Sequence, residues 1–213
     1  GGLLPVAYDP VTYLPPVISH GKTLMVSRGG VCQVRESPFS PPVTIQLKGL
    51  DITRVVPYQE CDVVCSAGLV GLIRADSVLV AYTAEQIYLS SINDLTDFTP
   101  TLYNGAQSFA LAHPIGFIVK ILYHNAGMYV FGSEGCVYGA CKGDVKFPVE
   151  FRPVANINGI RNPECVSSHH DAEYVTVMTK AGLMRLNGIT AVHFPVPSLS
   201  KFLLKPNTVS VLG

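Results

Sequence analysis

Tryptophan is absent from these 213 residues, and charge is scarce: only 14% of the chain is Asp, Glu, Lys or Arg. Typical soluble domains carry about 25%. Fifteen basic residues balance fifteen acidic ones, so the formal net charge is zero. A chain with no basic surplus is a poor nucleic-acid clamp and offers no polybasic face to a membrane surface. Without tryptophan there is no Trp-Asp dipeptide of the WD type, and one common aromatic platform for sugars is missing. Long apolar runs are missing too. Ile115-Gly-Phe-Ile-Val119 meets Lys120 and then His124, far short of the ~18 to 20 residues that a spanning helix needs. The start lacks the basic-then-apolar pattern of a signal peptide. It reads Gly1-Gly2 with no Met, so the chain is expected to be a piece of something longer.

Catalytic signatures are equally sparse. No Walker loop, dinucleotide fingerprint, GxSxG elbow, HExxH or EF-hand loop occurs. Ser168-His169-His170-Asp171 is the densest group of reactive side chains. Neighbours on an extended chain point to opposite faces, so the two histidines would not act on one atom. The group is expected to be a polar turn between strands. Asp94 and Asp97 lie close enough to suggest a carboxylate pair, but they sit in Asn93-Asp-Leu-Thr-Asp-Phe-Thr-Pro100. There Asn, Asp and Thr organise a loop by bonding to its backbone. Neither a cofactor nor a metal site is expected, nor an enzyme. The six cysteines, 32, 61, 65, 136, 141 and 165, are expected to be reduced and mostly buried. On one strand Cys61 and Cys65 lie roughly 13 Å apart, whereas a disulfide needs Cα atoms within about 7 Å.

What the chain does have is 48% hydrophobic residues, 19 glycines and 16 prolines. That composition excludes disorder, disfavours long helices and implies frequent turns. Four segments share one outline, an alternating apolar run, a short polar turn and a second alternating run. They are residues 23–34, 77–89, 127–139 and 173–186. Each reads as a β-hairpin, with Gly30, Gly135 and Gly182 where a tight turn needs positive φ, and Gln86 at that place in the second copy. The turn positions are 56, 49 and 47 residues apart.

Further strands are expected at 52–56, 63–72, 117–124 and 165–168, with a helical turn possible over 106–112. Units of roughly 40 to 50 residues with up to four antiparallel strands are the signature of propeller blades. The fold class is therefore all-β: a propeller-like array of antiparallel hairpin blades, possibly partial, with a β-sandwich as the competing architecture. One β-rich region spans 1–213, and its Pro-rich ends, 1–19 and 191–213, read as extended connections.

Three stretches then carry a family resemblance. They are Gln86-Ile-Tyr-Leu-Ser-Ser-Ile-Asn-Asp-Leu-Thr-Asp-Phe-Thr-Pro100, the hairpin Gly127 to Tyr138, and Gly159-Ile-Arg-Asn-Pro-Glu-Cys-Val166 leading to Thr179–Gly188. In this order they resemble the β-propeller region of tail nozzle proteins of short-tailed bacteriophages, also called tail tubular protein B. Asp94, Asp97, Phe98 and Pro100 stand in the family-like loop. The resemblance covers about residues 75 to 190, and the N-terminal platform domain of such proteins is not recognisable here. It implies a structural virion protein assembled in the host cytoplasm. Identical copies would form a ring, typically a hexamer, below the portal and adaptor. Such a ring extends the channel through which double-stranded DNA passes and carries tail fibre or needle proteins. The rivals are a propeller protein that binds or hydrolyses carbohydrate, and a generic interaction scaffold.

Overall fold

The computed structural model describes residues 14, 17–19, 22–26, 31–37, 39–50, 53–58, 61–66, 68–75, 77–140, 150–169 and 172–194. The chain divides into two compact units, residues 1–111 and 112–213.

In the first unit, β1 (Val17–Ser19), β2 (Lys22–Val26), β3 (Val31–Arg35) and β4 (Val43–Gln46) form one antiparallel meander. A separate hairpin follows, β5 (Thr53–Tyr58) with β6 (Cys61–Ser66). This insertion accounts for the longer first spacing between turns, and it places Cys61 and Cys65 on one strand as their spacing anticipates. The second meander is β7 (Gly71–Ala75), β8 (Val78–Tyr82), β9 (Ile87–Leu89) and β10 (Gln107–Phe109). Leu14, Val26, Leu47, Leu69, Leu72, Leu79, Ala81, Tyr88 and Phe98 form a buried cluster linking the two meanders.

The second unit repeats the plan. Its meanders are β11 (Ile118–His124), β12 (Gly127–Gly132), β13 (Cys136–Ala140) and β14 (Arg152–Pro153), then β15 (Val166–Ser168), β16 (Val175–Thr179), β17 (Gly182–Asn187) and β18 (Thr190–His193). Between them Tyr129, Phe131, Cys136, Val154, Ile160, Val175, Val177, Met184 and Leu186 are packed as one core. The period-two pattern decides which face goes inward. Val175 lies opposite Leu186 and Val177 opposite Met184, and all four are fully buried.

The chain is all-β, an array of blade-like four-stranded antiparallel sheets, one for each sequence repeat. A sandwich pools strands from distant parts of the chain by Greek-key crossings. Here every four-stranded sheet takes consecutive strands. No α-helix occurs among the described residues, and a 3-10 turn at Pro163–Cys165 precedes β15.

Three sequence expectations need comment. Gly182 has φ +131° at the start of β17, whereas Gly135 lies outside the positive-φ region that its turn role requires. The Gly132–Gly135 turn is closed by the Gly132 N–H donating to the Gly135 carbonyl at 2.8 Å, and it is also held from outside. Ser133 and Glu134 donate their N–H groups to the carbonyls of Phe117 and Ile115, and Ile160 donates to Gly132. Gly30 lies outside the described residues. Residues 106–112 form no helical turn, because Gln107–Phe109 pairs with β9 as an edge strand. Of the ends expected to be extended connections, 17–19 and 191–193 belong to outer strands, and most of the rest lies outside the described residues.

Candidate functional site

The family-like loop joins β9 to β10 and turns almost every polar side chain on itself. The Asp94 carboxylate accepts from the Thr96 N–H (3.0 Å) and hydroxyl (2.7 Å). Asp97 accepts from the Thr99 N–H at 2.9 Å. Thr99, by this bond and then by its hydroxyl, holds the Asp97 carboxyl below its ordinary 3.8; burial opposes this and Lys48 assists. Ser91 Oγ accepts from the N–H groups of Asn93 and Asp94. The Asn104 side chain bonds Thr99, Thr101 and Ala106.

The loop is also laced to the segment leaving β4. Lys48 donates to Thr96 O, and Phe98 donates to Lys48 O at 2.8 Å. These bonds seat Phe98, which is fully buried in the first unit's core. The four residues of the loop thus divide. Asp94 and Asp97 are turn formers, Phe98 is a core anchor, and Pro100 is exposed. The carboxylate pair is committed to the loop backbone.

His169 begins the turn between β15 and β16, with Ala172 N–H bonded to His169 O. His170 and Asp171 lie outside the described residues. The Ala172 carbonyl accepts from His124 Nε2 (2.8 Å) and Asn125 Nδ2 (3.2 Å). A carbonyl only accepts, so Nε2 of His124 carries a proton. Among the described residues no group of three or more His, Cys, Asp or Glu side chains could hold a metal. Cys136 and Cys165 are free thiols. Burial pushes the Cys136 thiol up, which makes it inert while the fold is intact. The Lys120 ammonium reaches the carbonyls of Pro163 (3.2 Å) and Val166 (3.5 Å). Burial lowers its pKa, against the pull of Glu164.

One concave feature stands apart from these structural bonds. On the face of the fourth sheet opposite its core, the register places Thr176, Arg185 and Val192 in one row. The next row holds Asn187 and Thr190, and continuing the register adds Tyr174. On the other side Met178 pairs with Leu183, whose carbonyl accepts from Phe194 N–H. Arg185 therefore has Tyr174 and Phe194 among its diagonal neighbours, within reach of long side chains. Its Cζ lies 4.7 Å from the Tyr174 ring centroid and 4.4 Å from that of Phe194. A cleft of about 330 Å³ opens here, lined by Tyr174, Arg185, Asn187, Thr190 and Val192. Sequence reasoning missed it, since its residues are scattered through a hairpin that reads as generic. The signal available was the lone Arg185 among the apolar residues of that hairpin.

No family model and no curated protein sequence matches the chain. Among solved structures it is similar to the computationally designed Ika4 protein, with 9% identity, a TM-score of 0.49, and 85% of this chain and 94% of that one covered. It is also similar to the WD40 domain of SCAP from fission yeast, at 10% identity and a TM-score of 0.33. That match covers 85% of this chain and 54% of the other. With both scores below 0.5, the fold class rests on the strand topology itself.

Proposed function

We propose that the chain is a structural virion protein, a nozzle component of a short-tailed phage tail that assembles with identical copies into a ring. The observation that carries this reading is an uneven covering of the sheets. Every residue of β8, β9 and β12 is buried, so both faces of these strands are covered. The fourth sheet is covered on one face only. Its other face presents Met178, Leu183 and Val192, half-buried or exposed, with Val192 at 54%. Apolar side chains left open on a sheet face, here beside the Arg185 row, form a surface that association would cover. Copies that meet head to tail close into a ring when the rotation between them closes.

The scarcity of charge supports the same reading, because interface cores are depleted in charged residues. The order of the three family-like stretches is what points to a nozzle, and with it to a hexamer, a portal and adaptor above, and fibre or needle proteins attached. The commitment of Asp94 and Asp97 to their own loop favours this role over glycoside hydrolysis. Light scattering on the purified protein tests it: the expected mass is one discrete multiple of the chain, and a monomer at all concentrations overturns the reading.

A further inference from the structure

The cleft lies on the face of the fourth sheet that the proposed ring would cover, and in the unassembled chain it has the chemistry of a receptor. A guanidinium is planar, and its N–H donors lie in that plane while its faces are weakly hydrated. In Arg185 the central Cζ lies over two aromatic rings, 4.7 Å from the Tyr174 centroid and 4.4 Å from that of Phe194. Such contacts restrict the guanidinium and leave its N–H donors for a further partner. Arg185 is exposed, and among the described residues no carboxylate pairs with it. It therefore offers a fork of N–H donors beside Asn187 and Thr190, which add neutral hydrogen-bonding groups, and Val192, which adds an apolar wall.

We propose that this cleft binds a carboxylate group carried on a short aliphatic stem. A carboxylate is planar and accepts two parallel N–H bonds from a guanidinium edge. The cleft holds one cation, which matches a single negative charge better than the nearly double charge of a phosphate. The stem would lie against Val192 and the Tyr174 ring. The carboxylate can come from an acidic side chain of another protein or from a free small acid, and the edge of Arg185 meets the same group in both.

The test is a titration of the intact chain followed by the NMR signal of the Arg185 Nε–Hε group, assigned from the spectrum of Arg185→Lys. The probes are N-acetylglutamate N-methylamide, a blocked peptide Ala-Ala-Glu-Ala-Ala, the glutamine counterpart of each, and inorganic phosphate. Saturable shifts are expected with both glutamate probes, with affinity at least tenfold above either glutamine counterpart. Arg185→Gln should weaken binding at least tenfold, and Arg185→Lys should also weaken it, because a point charge replaces the fork. A peptide that binds tenfold tighter than the small probe identifies a protein source, and equal affinity identifies a small acid. Equal shifts from glutamate and glutamine, no saturation, or tighter binding of phosphate would each overturn the proposal. The glutamate–glutamine comparison uses the unaltered chain, so it decides even if Arg185→Gln does not fold.

Discussion

The phenol of Tyr129 on β12 accepts a 2.7 Å hydrogen bond from the backbone N–H of Gly188, in the turn between β17 and β18. This bond ties the third sheet to the far turn of the fourth. Tyr129→Phe keeps the ring but leaves a half-buried N–H without its partner, at a cost of about 1–3 kcal/mol. Burial pushes the Tyr129 hydroxyl up to about 12, with the Gly188 bond pulling the other way. The folded state thus holds the phenolic proton more tightly than the unfolded chain does. The corresponding stability is full below about pH 10 and is lost as pH rises through about 12. Urea midpoints of the protein and of Tyr129→Phe should converge over that window. A gap that stays constant would count against this assignment.

Phe98 is the anchor of the β9–β10 loop. Phe98→Ala should cost about 3–5 kcal/mol, because the ring is fully buried among leucines that cannot close over the space. Asp97→Ala should also destabilise, by less, while Asp97→Asn keeps an acceptor for Thr99. Since the Asp97 carboxyl is held below its ordinary value, its contribution is present above pH 3.8 and fades as pH falls through the depressed value. Thermal melts at pH 7 rank the variants. An Asp97→Ala loss equal to that of Phe98→Ala would contradict the division of roles.

The repeat outline was legible in the sequence because side chains alternate with period two on each strand, and turns 86, 135 and 182 open β9, β13 and β17. What holds those turns was not legible. Gly135 reads as a positive-φ position, yet a Cβ there would meet Ile115 only at 3.6 Å, an ordinary contact. The residues around this turn that need to be glycine are Gly132 and Gly159, where a Cβ would overlap the Ile115 and Ser133 carbonyls. Such a close approach between chain segments leaves no local pattern. The Asp94–Asp97 loop was readable as backbone chemistry, but its lacing to Lys48 and the burial of Phe98 are long-range facts. The Arg185 cleft depends on cross-strand register, which composition does not encode.

Asn125 and Ala126 form the two-residue turn between β11 and β12, with φ +48° and +55° and His124 opposite Gly127. Positive φ at both central residues is the type I′ pattern, which favours Asn-Gly. Alanine is strained there by roughly 1 kcal/mol, and glycine returns part of this as unfolded-state entropy. Ala126→Gly should therefore stabilise by about 0.5 kcal/mol, read as a raised urea midpoint. A lowered midpoint would contradict the turn assignment.

The proposed conduit role requires that DNA slide past without being held. Tight binding needs about six to ten phosphate contacts. Here Lys120 directs its ammonium to two carbonyls, and Arg152 lies 3.6 Å from Glu150. Lys142 and Lys146 lie outside the described residues. Fluorescence anisotropy with duplex DNA at physiological salt should show no saturation below about 10 μM. Submicromolar, sequence-selective binding would identify a DNA-recognition protein instead.

The central claim is assembly through open sheet faces. Electron microscopy of the purified protein tests it most directly, through class averages viewed along the axis of any particle. Closed rings with one rotational symmetry are expected, sixfold for a nozzle, and they should be lost when Val192→Glu places a charge on the fourth sheet's open face. Monomers throughout, or rings left intact by Val192→Glu in a chain that remains folded, would contradict it.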